Sequence, residues 1–160
     1  MRSKSDHAED AVVKLSHLLR YILYQANAAQ VDLEKEINHL HDFIELQKMR
    51  IAKTDSLQVS VNGDLKNKMI VPLLLLPLAE NFFKHGDFST DFINKLSISI
   101  NEGVLTFLTE NWIAINADES HGIGLNNVKK RLELHYPQKH ELKYSIKDSV
   151  FYLELKLVLI

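Results

Sequence analysis

The chain has no cysteine. That removes a disulfide framework and any thiolate metal site, and it suits a reducing compartment. No apolar run approaches the ~20 residues needed to cross a bilayer. The N-terminus lacks the apolar core of a signal peptide, so the chain as given reads as soluble. Neither sign of charge prevails: the formal net charge is −2, which leaves no electrostatic case for nucleic acid or an anionic membrane. Glycine (5) and proline (3) are scarce, so each acts as punctuation where it occurs. No internal repeat or low-complexity tract is present. What remains is 160 residues, 46% of them apolar. That suits one medium domain, or one domain with a helical appendage.

Asp6 is a candidate N-cap for a helix running to about Ala26. Its apolar residues Val12, Leu15, Leu19 and Ile22 fall three or four apart, widened by Leu18 and Leu23. Asp32 is a second candidate cap, with Lys35 and Glu36 in the first turns. Leu33, Ile37, Leu40 and Ile44 then repeat at seam-like spacing to about Arg50. A short polar link, Gln25–Val31, makes the two a helical hairpin. The hairpin either packs on the rest of the domain or dimerises through its exposed seam. Beyond Lys53 the period changes to two: Leu57, Val59 and Val61 read as a half-buried strand that turns at Asn62-Gly63.

Pro72 fits the first turn of the next helix. Pro77 lies five residues on, which predicts a kink or a late helix start. The helix ends near His85, with Gly86 as a residue tolerant of positive φ. After a loop over 87–94, Leu96–Ile100 and Val104–Thr109 form a hairpin around Glu102-Gly103. The stretch 111–120 reads as polar and irregular. A helix follows Gly122–Leu125 and ends near Tyr136-Pro137. A closing hairpin pairs Leu142–Ile146 with Val150–Val158. The order predicts an α/β two-layer sandwich, a mixed or antiparallel sheet with helices on one face, preceded by the helical hairpin.

Two stretches carry chemistry. In PLAENFFKHG, residues 77–86, the side chains of Asn81, Lys84 and His85 share one helical face. An amide oxygen is a hard ligand suited to Mg²⁺, a lysine binds phosphate as a point charge, and a histidine donates a hydrogen bond. The same residues are also what a solvated last turn would carry. The second stretch, HGIGLNNVKKRL, residues 121–132, decides between them. Gly122 and Gly124 let backbone approach a ligand, and the loop opens into a helix whose free N–H groups favour phosphate. Lys129, Lys130 and Arg131 add positive charge or are simply solvated.

LSHLLRYILY, VDLEKEINHLHDFIELQKMR, PLLLLPLAENFFKHG and GIGLNNVKKRLELHYP stand in an order and spacing that resemble the LytS/YehU-type sensor histidine kinases. The likeness is to the end of their dimerisation region and to their GHKL (Bergerat-fold) ATP-binding domain, and it covers nearly the whole chain. It implies a division into a helical segment, 1–52, and a GHKL catalytic domain, 53–160. It implies ATP and Mg²⁺ as cofactors. Asn81 matches the Mg²⁺-ligating asparagine and Glu80 its acidic neighbour. Lys84 and His85 match positions facing the phosphates. Asn111 stands where the family binds the adenine amino group. Gly122, Gly124 and Leu125 match the second glycine box, and Asn126 and Arg131 its tail. Residues 112–121 correspond to a mobile ATP lid.

The sequence also departs from the family. Trp112 and Ile113 follow Asn111 where small residues are usual, so that Trp112 either narrows the adenine pocket or covers it. The PHFLFN-like segment with the phosphoacceptor histidine is absent, and His7, His17, His39 and His41 do not match it. Pro77 stands where related ATPases carry the glutamate that activates water, and Glu80 points ~100° away from Asn81 on a helix. The expectation is therefore a phosphotransferase fragment: a protein-histidine kinase domain that binds Mg-ATP for transfer to a histidine outside this chain. Its expected partners are the histidine-bearing dimerisation helix of the same protein, a response regulator of the LytTR type, and a second copy of the chain. Its expected location is the cytoplasmic side of an inner-membrane sensor. The competing expectation is a degenerate kinase-like fold that binds nucleotide weakly or not at all and serves as a dimerisation or partner-binding module.

Overall fold

A computed structural model describes residues 4–25, 27–113 and 122–159. Helices α1 (Lys4–Gln25) and α2 (Leu33–Lys48) form the hairpin. Leu18 and Tyr21 of α1 pack on α2, whose Leu33, Ile37, Leu40 and Ile44 are all buried. The seam of α2 is thus not exposed, as the dimerisation reading required. It lines the protein's own core, because α3 packs against it from the far side. The exposed stripe lies on α1 instead, where Val12 is 66% and Leu23 70% accessible. Asp32 occupies the cap position of α2 but makes no side-chain cap bond; its carboxylate pairs with Lys35 at 3.0 Å.

The link between the two helices contains an element with no sequence signal. Two-residue strand β1 (Val31–Asp32) pairs antiparallel with β3 (Met69–Ile70), Val31 opposite Ile70. The Leu33 N–H extends the pairing to the Lys68 carbonyl, 2.8 Å away. Strand β2 (Leu57–Asn62) separates them in sequence. This short ladder pins the base of the hairpin to the chain that leads into α3 (Leu76–His85).

The main sheet adds β4 (Asn94–Asn101), β5 (Val104–Trp112), β6 (His140–Lys147) and β7 (Val150–Val158). Its order is β2-β4-β5-β7-β6, with β2 parallel to β4 and every other pair antiparallel. Alternation along β4 and β5 sends Leu96, Ile98, Ile100, Leu105 and Phe107 to one face. That face is covered by α3 and by α4 (Gly122–His135), whose Leu125, Val128 and Leu132, with Tyr136 just beyond, are buried at helical spacing. The two-layer α/β sandwich is as the sequence predicts.

Three local expectations need correction. Pro72 lies in a turn before α3, not in its first helical turn, and the helix starts late with Pro77 in its opening positions. Gly86 ends α3 in extended backbone (φ −71°), so positive φ is not its reason. A Cβ there would lie 2.7 Å from both the Phe82 carbonyl oxygen and the Phe88 ring, and that crowding demands glycine. Strand β5 runs through Trp112, so Asn111 sits in a regular ladder opposite Phe151 and not in an irregular loop.

Candidate functional site

The site is built where α3 leaves the core. Its start is held by an unusual set of partners. Leu73 adopts a left-handed backbone (φ 56°), which costs a branched residue about 1–2 kcal/mol. The Leu73 N–H donates to Glu36 Oε2 at 3.1 Å, while the N–H groups of Leu74 and Leu75 donate to Oε1 at 3.1 and 3.3 Å. Helix α3 has no local side-chain cap; a carboxylate from α2 satisfies these donors instead. Glu36 is only 2% accessible, and its Oε2 also accepts the Tyr21 hydroxyl of α1. Burial lifts the Glu36 pKa above the usual carboxylate value, and the four donors pull against that shift. From the opposite side, Arg131 of α4 donates to the Pro72 and Leu73 carbonyls, both at 2.6 Å. The Tyr136 hydroxyl accepts the Val71 N–H at 2.9 Å.

Helix α3 buries Leu78, Ala79 and Phe82. Asn81 is half-buried, Glu80 and Lys84 are exposed, and His85 is half-buried near the helix end. Asn81, Lys84 and His85 therefore share the face predicted for them, with Glu80 off it. The chain beyond α3 turns back to the sheet, where the Asp87 N–H donates to the Trp112 carbonyl at 2.7 Å. The end of α3 thus lies against the end of β5.

Asn111 sits at that end of β5. It has no accessible surface, and neither its side-chain oxygen nor its nitrogen has a hydrogen-bond partner among the described residues. A buried amide with both atoms unpaired costs about 1–3 kcal/mol per group. The pleat of β5 puts Trp112 on the opposite face of the sheet from Asn111. Its indole packs at 5.6 Å against Phe92. Trp112 therefore neither narrows nor covers the space around Asn111.

Asn94 is a residue that sequence reasoning missed. Fully buried at the start of β4, it donates to the Ser56 and Asp87 carbonyls (3.2 and 3.1 Å) and accepts the Trp112 N–H at 2.7 Å. It fixes the return from α3 beside Asn111. An asparagine heading an alternating apolar strand, on its buried phase, was the available signal.

Helix α4 supplies the remaining candidates. Tyr136 meets Val71 and Arg131 meets Pro72 and Leu73, so the later part of α4 is tied to the chain that enters α3, and the two helices pack together. Gly122 opens α4, and Gly124 and Asn126 are exposed in its first turns. Leu125 is buried in the core, so its side chain is turned away and only its backbone is left for a ligand. Arg131 is likewise engaged with backbone carbonyls, as a brace on the approach to α3. Most of the lid expected at 112–121 lies outside the described residues; Ile113, where it begins, is tied by its N–H to the Ser149 carbonyl at 2.9 Å.

A Cβ built on Gly124 meets no atom within 4 Å. Packing among the described residues does not require glycine there, and glycine in a helix costs about 1 kcal/mol relative to alanine. Close approach of a ligand, which the family likeness implies at Gly124, would call for glycine. Gly124→Ala is expected to leave the melting temperature equal or higher while weakening nucleotide binding about tenfold, read by thermal denaturation and titration side by side.

One titrating group lies within the hairpin, between α1 and α2. The His39 ring stacks on Tyr21 at 3.9 Å, and its Nδ1 is buried without a partner among the described residues. Burial lowers its pKa; Asp42 opposes that shift and His17 adds to it. A depressed histidine stabilises the fold above the unfolded pKa of about 6.5, and that stability is lost as pH falls through the folded value. Melting temperature should therefore drop between pH 7 and 5, and His39→Phe should flatten that part of the profile.

The catalytic domain of the histidine kinase ThkA superposes on 81% of this chain and 94% of its own, at a TM-score of 0.53 and 11% identity. The histidine kinase domain of the blue-light activated kinase EL346 from Erythrobacter litoralis covers 96% of this chain and 80% of its own, at 0.57 and 15%. The fold is that of the histidine-kinase catalytic domain. In sequence, residues 1–54 match the family described as histidine kinase. Sensor protein LytS of Oceanobacillus iheyensis is 28% identical over 82% of this chain and 26% of its own length. Sensor protein kinase HptS of Staphylococcus aureus (strain USA300) is 29% identical over 75% of this chain and 21% of its own. The chain resembles these sensor kinases and spans about a quarter of their length. Among the described residues no helix is long and apolar enough to cross a membrane.

Proposed function

We propose that residues 53–160 form the ATP-binding catalytic domain of a two-component sensor histidine kinase, and that residues 1–52 are the remainder of its dimerisation and phosphotransfer region. The observation that carries this reading is the Asn111 amide, buried with both polar atoms unpaired among the described residues. Its oxygen and nitrogen form an acceptor–donor pair that complements the amino group and ring nitrogen of adenine.

The other residues fit the same ligand. Asn81 would give Mg²⁺ an amide oxygen, with Glu80 as its acidic neighbour, while Lys84 and His85 face the phosphates. The backbone of Gly122, Gly124 and Leu125 at the start of α4 would cradle them, with Asn126 at the rim. When bound, the metal neutralises charge on the phosphates. The chain's own residues orient the nucleotide and hold its γ-phosphate open to attack. Pro77, at the start of α3, cannot activate water, and Glu80 is exposed and off the Asn81 face. Both points favour transfer over hydrolysis. The position of Trp112, across the sheet from Asn111, supports a binding site over a degenerate, non-binding fold.

The phosphoryl group would pass to a histidine on the dimerisation helix of the same protein, and from there to a response regulator, of the LytTR type on the family likeness. A second copy of the chain would face the stripe on α1. The whole protein would be an inner-membrane sensor with this part in the cytoplasm, and nucleic acid has no role in it. The test supplies the catalytic chain with Mg-ATP and, separately, with a segment bearing the acceptor histidine. Phosphohistidine should form on the added segment and not on this chain alone. Labelling of this chain alone, or of neither, would contradict the proposal.

A further inference from the structure

The buried set at the start of α3 has a consequence for the nucleotide site. Glu36 belongs to α2, Tyr21 to α1, Arg131 to α4 and the turn 72–75 to the segment that aims α3. All meet on a few backbone groups around one left-handed leucine. We propose, resting on the nucleotide-binding reading, that Glu36 is a positioning residue for that site. Together with Arg131, it holds the Leu73 turn in its left-handed form, and so sets the direction of α3 and the placement of Asn81.

Helix α3 is one rigid segment and Leu75 is its cap, so the orientation of residues 73–75 fixes that of Asn81 less than two turns later. A left-handed leucine persists only where its surroundings over-determine it. Here the N–H of Leu73 is held by Glu36 and its carbonyl by Arg131, one contact on each side of the same residue. A glycine would adopt that turn unaided; leucine adopts it while the clamp is closed. Because the carboxylate also takes the Tyr21 hydroxyl, the state of the hairpin is read by the same two oxygens that hold the turn. A shift of α1 against α2 that withdraws the hydroxyl alters the hold on Leu73. The helical hairpin and the nucleotide site are coupled through this route, with no direct contact between α1 and a ligand required.

Three variants test it. Glu36→Gln places an amide donor against backbone N–H donors. Arg131→Lys replaces the two-nitrogen fork with a single nitrogen on a shorter reach. Tyr21→Phe leaves the carboxylate and removes only the hydroxyl from α1, which guards against a variant that fails to fold. Each is titrated with Mg²⁺ and an ATP analogue, while the Asn81 side-chain amide resonance and the exchange of the Leu73–Leu75 amides are followed by NMR. Glu36→Gln should weaken the analogue about tenfold, with Tyr21→Phe and Arg131→Lys smaller in the same direction. All three should shift the Asn81 resonance and speed exchange at Leu73–Leu75. Folded variants with wild-type affinity and an unmoved Asn81 resonance would overturn the proposal, even if their melting temperatures fell. Absence of binding in the wild-type chain would overturn the nucleotide reading instead. In that case the Asn81 resonance still decides, since a shift in Tyr21→Phe upholds the clamp and an unchanged one overturns it.

Discussion

Replacing Asn111 by leucine should stabilise the protein and weaken its nucleotide binding about a hundredfold. The two effects have one cause. Both polar atoms of the Asn111 amide are buried and unpaired among the described residues, and each such group costs about 1–3 kcal/mol. Leucine has nearly the same shape, removes both polar atoms, and lies in β5 on the same face as Leu105 and Phe107. A gain of even 1 kcal/mol raises the melting temperature of a chain this size by about 2–4 °C. The same change removes two hydrogen bonds to the base, which corresponds to a loss in affinity of about a hundredfold. Thermal denaturation and titration on one preparation check both signs. A destabilised leucine variant would mean that the amide has a structural partner. A stabilised variant that still binds would move the base elsewhere.

Asn81→Ala carries the second large effect, and its signature is metal dependence. Asn81 is half-buried within α3, where alanine is the better helix former, so the fold should be unharmed. Titrated with an ATP analogue and Mg²⁺, the variant should bind about a hundredfold more weakly than the wild type. Titrated without metal, the two should agree within a factor of about three, because the amide acts through the ion. An equal loss with and without Mg²⁺ would assign Asn81 to the nucleotide itself.

These two residues were legible in the sequence for different reasons. Asn81 stands in a local pattern: an apolar run, a proline and a glycine define a short helix, and periodicity puts Asn81, Lys84 and His85 on one face. Asn111 was named only through the family likeness. The polar run after it reads as loop, and the strand that carries it is extended by pairing with β7, a contact made 40 residues away. The hairpins around Glu102-Gly103 and Lys147–Ser149 were readable because the turns that close them are local, with left-handed residues at both. The β1–β3 ladder was not, since two residues carry no period.

Glu36 is the instructive miss. The sequence places it only in the first turns of a helix; glutamate is rarely buried without partners, and its partners are backbone N–H groups 37 to 39 residues on. The signal was its phase: three residues after Leu33 and four before Leu40, it lies on the apolar stripe of α2. Arg131 has partners that no local pattern shows, for a related reason. The family likeness puts it in the tail of the second glycine box, and its guanidinium is held by the carbonyls of Pro72 and Leu73.

The measurement that bears most directly on this account is calorimetric titration of the wild-type chain with Mg²⁺ and an ATP analogue, repeated with the matching GTP analogue. Saturable one-site binding of the adenine compound, with the guanine compound at least about tenfold weaker, is the predicted result. Equal binding of the two would contradict the role given to Asn111, and no binding of either would contradict the nucleotide site altogether.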